Sequence, residues 1–295
     1  MIRRSLTVLL AGLVATLALA GVPALPAAPG ADVAPTEGPD SPYAGMDGLL
    51  EQYYVALLEA SNEEKESEMD YLITTCRDSL LRQHIACAIF AHYKESPLMG
   101  EEAVALHVYD RWFADGTVTF PTDQENFEAE MFALFNRSSM LYMQAPVLGV
   151  TALDGSLPDI PEQGRLCALY FYDTSCTKCN AVTPVLPYAL EAFYAQREAD
   201  CTPLTLYMFY SGSDEEAWRS FAEGFDCASP QVEVVHVWDP DAASDYLRKY
   251  AVLSTPQLFL VTPGGMIIGR RLEVENLVEL LDFYYLYEHN AKEKK

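Results

Sequence analysis

The stretch that most constrains this chain is Leu166–Tyr172, seven apolar positions in a row. Four residues on come Cys176-Thr177-Lys178-Cys179, and a helical pattern begins at once. An apolar run of this length, bounded by turn residues, reads as a strand buried on both faces. A strand that meets a helix through two cysteines delivers both thiols to the first helical turn. The free N–H groups and partial positive charge there favour a thiolate at Cys176. Residues three apart share a helical face, so Cys176 at the exposed edge can attack and the more buried Cys179 can resolve. Lys178 adds a cation beside them. By itself the pair admits three readings: a redox dithiol, half of a zinc site, or an inert bridge. Zinc needs a second ligand pair. The remaining cysteines, Cys76, Cys87, Cys167, Cys201 and Cys227, are scattered singly, and His84, His92 and His107 fall in no metal spacing. No bound metal or cofactor is expected.

The surroundings of the dithiol depend on the compartment. Arg3 and Arg4 precede an apolar run over 6–19, and Ala18-Leu19-Ala20 offers a small-x-small cleavage site before Gly21. That is the pattern of a secretory signal peptide over 1–20. The apolar run is short for a membrane span and no stop-transfer charges follow it, so an uncleaved anchor is the lesser alternative. Cleavage takes the formal charge from −24 to −26, which disfavours nucleic acid and anionic membranes as partners. The expected location is the periplasm or outside the cell, where disulfides persist. All seven cysteines lie beyond residue 20, and the odd count leaves at least one thiol without a partner in the chain.

Residues 21–45 hold six prolines among Ala, Gly and acidic residues and read as a linker. From 46 to 143 the apolar spacing is helical, and about four helices are expected. The first carries Leu49, Leu50, Tyr53, Tyr54, Leu57 and Leu58. The second runs through 63–93, the third starts at Ser96-Pro97, and the fourth follows Pro121-Thr122-Asp123. This last helix would turn Phe127, Met131, Leu134, Phe135, Ser138 and Leu141 inward. On one continuous helix Cys76 and Cys87 would stand about 16 Å apart, too far for a disulfide.

After Ala145-Pro146 the pattern changes to strands alternating with helices. Strands are expected at 166–172, 204–210, 232–238, 257–261 and 266–271. Helices are expected at 177–199, 214–225, 241–250 and 274–287, with a charged tail over 289–295. The last two strands would form a hairpin about Pro263-Gly264-Gly265. Cys201 and Cys227 precede the second and third strands. If those strands are parallel neighbours, both cysteines sit at the sheet end away from the dithiol, where a structural disulfide can form.

Over about 145–288 the chain resembles thioredoxin-fold envelope thiol–disulfide oxidoreductases of the TlpA/ResA type. Ala145-Pro146-Val147-Leu148 resembles the family's entry motif, and Asp154-Gly155 the turn after it. Cys176-Thr177-Lys178-Cys179 stands at the strand-to-helix junction, and Pro184 matches the proline that kinks the active-site helix. Thr255-Pro256 precedes a strand as the family's cis-proline does, and Pro263-Gly264-Gly265 matches the terminal hairpin turn. The resemblance implies an α/β thioredoxin-like fold with a central mixed sheet, behind an all-α domain. It also implies an exported enzyme without a cofactor that exchanges disulfides with protein thiols in the envelope. A reductive role would draw electrons from a membrane donor. Pro256 in cis would expose the Thr255 backbone to an extended substrate and discourage metal capture at the dithiol. The helical region joined to such a domain is similar to two-domain proteins of the Bacteroidetes type.

Two residues depart from thioredoxin itself: Ser175 replaces an aromatic residue before the first cysteine, and Tyr170 replaces a buried acid. Proton handling at Cys179 must then differ, or use Asp173, a water or a nearby loop carboxylate. The rival functions are a non-catalytic binding module and a thiol peroxidase. The latter usually has Thr three residues before its cysteine, where Asp173 stands. A copper carrier would have only His236 to offer.

Overall fold

The structure is a computed structural model that describes residues 42–197 and 201–293. The signal peptide and nearly all of the linker lie outside the described residues. The chain divides into two compact units, Met1–Ala133 and Leu134–Lys295.

The described helices of the N-terminal region are α1 (Ala44–Ala56), α2 (Asn62–Thr75), α3 (Ser79–Lys94), α4 (Glu102–Val108) and α5 (Asp123–Asn136), the last running three residues past the unit boundary, with a π-helical turn, Tyr109–Phe113, continuing α4. The single helix expected over 63–93 is two. Cys76 and Asp78 both turn extended, and the Asp78 carboxylate accepts the Leu81 N–H at 2.8 Å, capping α3. Asp78→Ala should therefore destabilise this unit by about 1 kcal/mol in thermal unfolding; an unchanged melting temperature would rule out that role for the cap. Helix α2 starts with a reciprocal box, in which Ser61 Oγ accepts from Glu64 N–H and Glu64 accepts from Ser61 N–H. The third expected helix begins at Glu102 rather than at Ser96-Pro97, because Gly100 adopts a left-handed φ of 95°.

The face expected for the fourth helix is also corrected. Phe127 and Leu134 are 55% and 45% exposed, whereas Ala129 and Ala133 are buried. Two small residues let the helix approach closely, and Phe132 packs against the cluster of Leu50, Ile73, Ile89, Phe90 and Val104. The histidines have local partners: His84 meets Asp47, His107 meets Asp70, and His92 stacks on Tyr54.

The second unit carries β1 (Leu148–Gly149), β2 (Thr151–Ala152), β3 (Asp159–Ile160), β4 (Leu166–Tyr172), α6 (Thr177–Val182), α7 (Val185–Ala195), β5 (Leu204–Tyr210), α8 (Glu215–Gly224), β6 (Val232–Trp238), α9 (Tyr246–Lys249), β7 (Gln257–Val261), β8 (Ile267–Gly269) and α10 (Val274–Glu293). The main sheet runs β2-β6-β5-β4-β7-β8. Strands β6, β5 and β4 are parallel, while β2, β7 and β8 are antiparallel to their neighbours. Strands β4 and β5 are buried at every residue because apolar clusters cover both faces of the sheet. Leu166, Ala168, Tyr170 and Tyr172 point into one cluster, and Cys167, Leu169 and Phe171 into the other.

The segment before Ala145-Pro146 already belongs to this unit. Tyr142 and Ala145 donate their N–H groups to Ile267 and Gly265, and Ile267 returns one to Met143, so this segment covers the free edge of β8. The helix expected over 241–250 shrinks to α9. Ala242 and Asp245 take positive φ, and the Asp239 carboxylate holds the Ala243 and Ser244 N–H groups in a turn. Helix α10 continues past the expected end at 287 to Glu293.

Candidate active site

Strand β4 ends in the middle of the sheet, and its loop is drawn tight before α6. The Asp173 carboxylate accepts from Ser175 N–H and Oγ, both at 2.7 Å, and its carbonyl accepts the Cys176 N–H at 3.2 Å. Asn180 reaches back to the Thr174 carbonyl at 3.1 Å. Cys176 thereby becomes the N-cap of α6, and its Sγ accepts the Cys179 N–H at 3.1 Å.

Across from it, between α9 and β7, the Thr255-Pro256 bond is cis. The Thr255 carbonyl lies 3.3 Å from Cys176 Sγ, which donates to it as a thiol. The fold thus brings together Cys176, Cys179, Thr255 and Pro256, which the sequence keeps eighty positions apart.

The two thiols have opposite environments. Cys176 is partly exposed; Cys179 is buried at 1% exposure. Desolvation pushes the Cys176 thiol up. Hydrogen bonds from Cys179, the Thr255 side chain and the Lys178 backbone outweigh it and bring the thiol below the ordinary cysteine value. Burial and then the Cys176 sulfur push Cys179 up to about 11. A lowered value populates thiolate at lower pH, so iodoacetamide should modify Cys176 with a midpoint under the usual value of about 8.5. Cys179 should resist until the pH nears about 11. Mass mapping across a pH series checks this, and coincident midpoints would remove the asymmetry.

Lys178 takes a different place from the one expected. Its ammonium pairs with Glu273 at 3.0 Å, so it reaches the Cys176 sulfur through its backbone N–H rather than its charge. The single helix expected over 177–199 is two: Pro184 lacks an N–H, and the helix breaks at Thr183-Pro184 between α6 and α7. The dithiol therefore sits on a six-residue helix, where individual N–H groups rather than a long macrodipole hold the thiolate.

Two residues of the site were not singled out from sequence, Thr183 and Glu273. Thr183 closes the break: its N–H and hydroxyl both donate to the Cys179 carbonyl, at 2.8 and 2.7 Å. A threonine four residues after Cys179 is the signal that could have shown it. Tyr170, at the position of the missing acid, places its hydroxyl 2.9 Å from Thr183 Oγ1.

No disulfide joins Cys201 to Cys227; both are free thiols. Strands β5 and β6 are parallel neighbours as that pairing requires, but the two sulfurs have other partners. Cys227 Sγ faces the Pro187 carbonyl at 3.9 Å, and Cys201 lies against the Tyr285 hydroxyl. His236 is buried on β6 beside Phe221 and Phe225. Among the described residues no group of three or more His, Cys, Asp or Glu is placed to hold a metal ion.

No protein-family model matches the sequence, and no curated protein does. Among solved structures, a thioredoxin-like protein from Bacteroides caccae superposes with a TM-score of 0.61 at 14% identity, over 89% of this chain and 99% of that one. The thioredoxin domain of a thiol-disulfide oxidoreductase from Bacteroides vulgatus gives 0.42 at 22% identity, over 50% of this chain and 99% of that one. A thiol:disulfide interchange protein from a Bacteroides species gives 0.40 at 21%, over 50% and 91%. At these identities the likeness is one of fold, and the first of the three carries it: this chain has a thioredoxin-like fold preceded by a helical region.

Proposed function

We propose that this protein is an exported thiol–disulfide oxidoreductase of the TlpA/ResA type, exchanging disulfides with protein substrates through Cys176 and Cys179. One observation carries the reading. A partly exposed sulfur is held between the Cys179 N–H at 3.1 Å and the Thr255 carbonyl at 3.3 Å, with a buried second thiol one turn on.

In the reductive direction the Cys176 thiolate attacks one sulfur of a substrate disulfide. A Cys176–substrate bond forms and the other substrate sulfur leaves as thiolate. Cys179, once deprotonated, attacks Cys176, which releases the second substrate thiolate and closes the Cys176–Cys179 disulfide. The backbone of Thr255 offers an edge for an extended substrate strand. The envelope location rests on the signal pattern at 1–20; among the described residues no helix is long and apolar enough to cross a membrane. Continued reduction needs an electron donor, and we propose a membrane protein for that role on the strength of the resemblance.

The test is to equilibrate the protein, without residues 1–20, in glutathione and dithiothreitol buffers of graded potential. Its redox state is read by alkylation and mass, alongside insulin reduction. A two-electron transition confined to Cys176 and Cys179, with catalysed insulin reduction, is expected. A pair that no buffer cycles would end the oxidoreductase reading.

A further inference from the structure

A buried phenol lies close to the dithiol. Tyr170 is 1% exposed on β4, and its hydroxyl lies 2.9 Å from Thr183 Oγ1. The direction of that bond follows from proton counting. Thr183 has one hydroxyl proton, and it donates it to the Cys179 carbonyl at 2.7 Å. Tyr170 is therefore the donor, and the chain runs Tyr170 O–H to Thr183 O–H to the Cys179 carbonyl. The same carbonyl also takes the Thr183 N–H at 2.8 Å, just where Pro184 breaks the helix.

We propose that Tyr170 is a positioning residue for the resolving thiol: through Thr183, its neutral phenol holds the Cys179 carbonyl and so fixes the turn that aims Cys179 at Cys176. The inference rests on the redox reading of the dithiol and adds to it a residue with a defined step.

The surrounding charges explain why a neutral group suffices. From β4 come Tyr170 and Tyr172; burial raises both phenols, so neither ionises near neutral pH. The Asp173 carboxylate is bound to Ser175 and presents its backbone to Cys179. Lys178 and Glu273 neutralise each other in an exposed pair, and Thr255 faces both sulfurs. In the mixed disulfide Cys176 no longer titrates, so of the two thiols only Cys179 contributes an inflection to the resolving step.

The step can be timed with a symmetric aromatic disulfide whose released thiolate is coloured. Cys87 and Cys201, the other partly exposed thiols, are first changed to serine. Attack by Cys176 releases the first coloured thiolate, and displacement by Cys179 releases the second. Tyr170→Phe keeps the ring and removes the donor. Relative to the first phase, it should slow the second by about fivefold, the loss of one hydrogen bond, without moving its inflection. Thr183→Val should do the same and Thr183→Ser should restore the rate. Tyr170→Glu should add a second inflection.

A wild-type phase ratio in Tyr170→Phe, or no recovery in Thr183→Ser, overturns the proposal. A wild-type protein that releases a single equivalent, like Cys179→Ser, overturns the dithiol reading itself, and this inference with it.

Discussion

Cys176→Ser is expected to reduce catalysed disulfide exchange to the uncatalysed background, a loss on the order of a thousandfold or more. A serine hydroxyl in the same place keeps the cap on Cys179 N–H but cannot form an anion at physiological pH, and exchange proceeds only through a sulfur anion. Cys179→Ala should give a different defect. The first attack survives, because the Thr255 side chain and the Lys178 backbone still stabilise the Cys176 thiolate, but nothing resolves the product, so a mixed disulfide accumulates. Non-reducing electrophoresis after incubation with a disulfide substrate, followed by mass identification of the captured partner, reads both effects. Substantial insulin reduction by Cys176→Ser, or a Cys179→Ala protein that traps nothing, would refute the assignment of attacking and resolving roles.

Phe171→Ala should destabilise the second unit by about 3–5 kcal/mol, the cost of emptying a buried aromatic site. Phe171 is fully buried in the central strand, with ring centroids 4.8 Å from Phe209, 5.6 Å from Tyr250, 5.9 Å from Tyr246 and 6.0 Å from Phe259. Those rings belong to β5, α9 and β7 or their flanks, so the cavity would loosen the strands β4 and β7 that lead to Cys176 and Thr255. A loss of this size is a large share of a domain's net stability. Denaturant unfolding followed by fluorescence in a Trp112→Phe background, which leaves Trp218 and Trp238, reports this unit, and a shift under about 1 kcal/mol would mean that the site collapses around the smaller residue.

The strands were the most legible part of the fold. The sequence placed β4 to β7 at the observed positions, because runs of five to seven mostly apolar residues, interrupted only at Thr205, Glu233, His236 and Gln257, leave little choice for a sheet core. Helices were less legible where a single polar residue overrode the apolar period. Asp78 ends one helix by capping the next, and Asp239 folds the first half of 241–250 into a turn, though the apolar pattern runs through both. The inward face of α5 departs from its apolar pattern for a related reason: close packing selects Ala129 and Ala133 for the core and leaves the larger Phe127 in solvent.

For the site, the sequence by itself determined the arrangement along the chain: two thiols three apart at a strand-to-helix junction, a proline behind them, and the uncharged Tyr170 where thioredoxin has a buried acid. Only the tertiary structure decided what surrounds them. It brought Thr255, 79 positions from Cys176 in the chain, to within 3.3 Å of its sulfur. It diverted the Lys178 charge to Glu273, held Cys201 and Cys227 as free thiols, and tied Tyr170 through Thr183 to the Cys179 carbonyl. The reason is physical. Spacing along a strand or helix sets which side chains share a face, but hydrogen bonds between distant segments depend on sheet order and loop path, which no local pattern encodes.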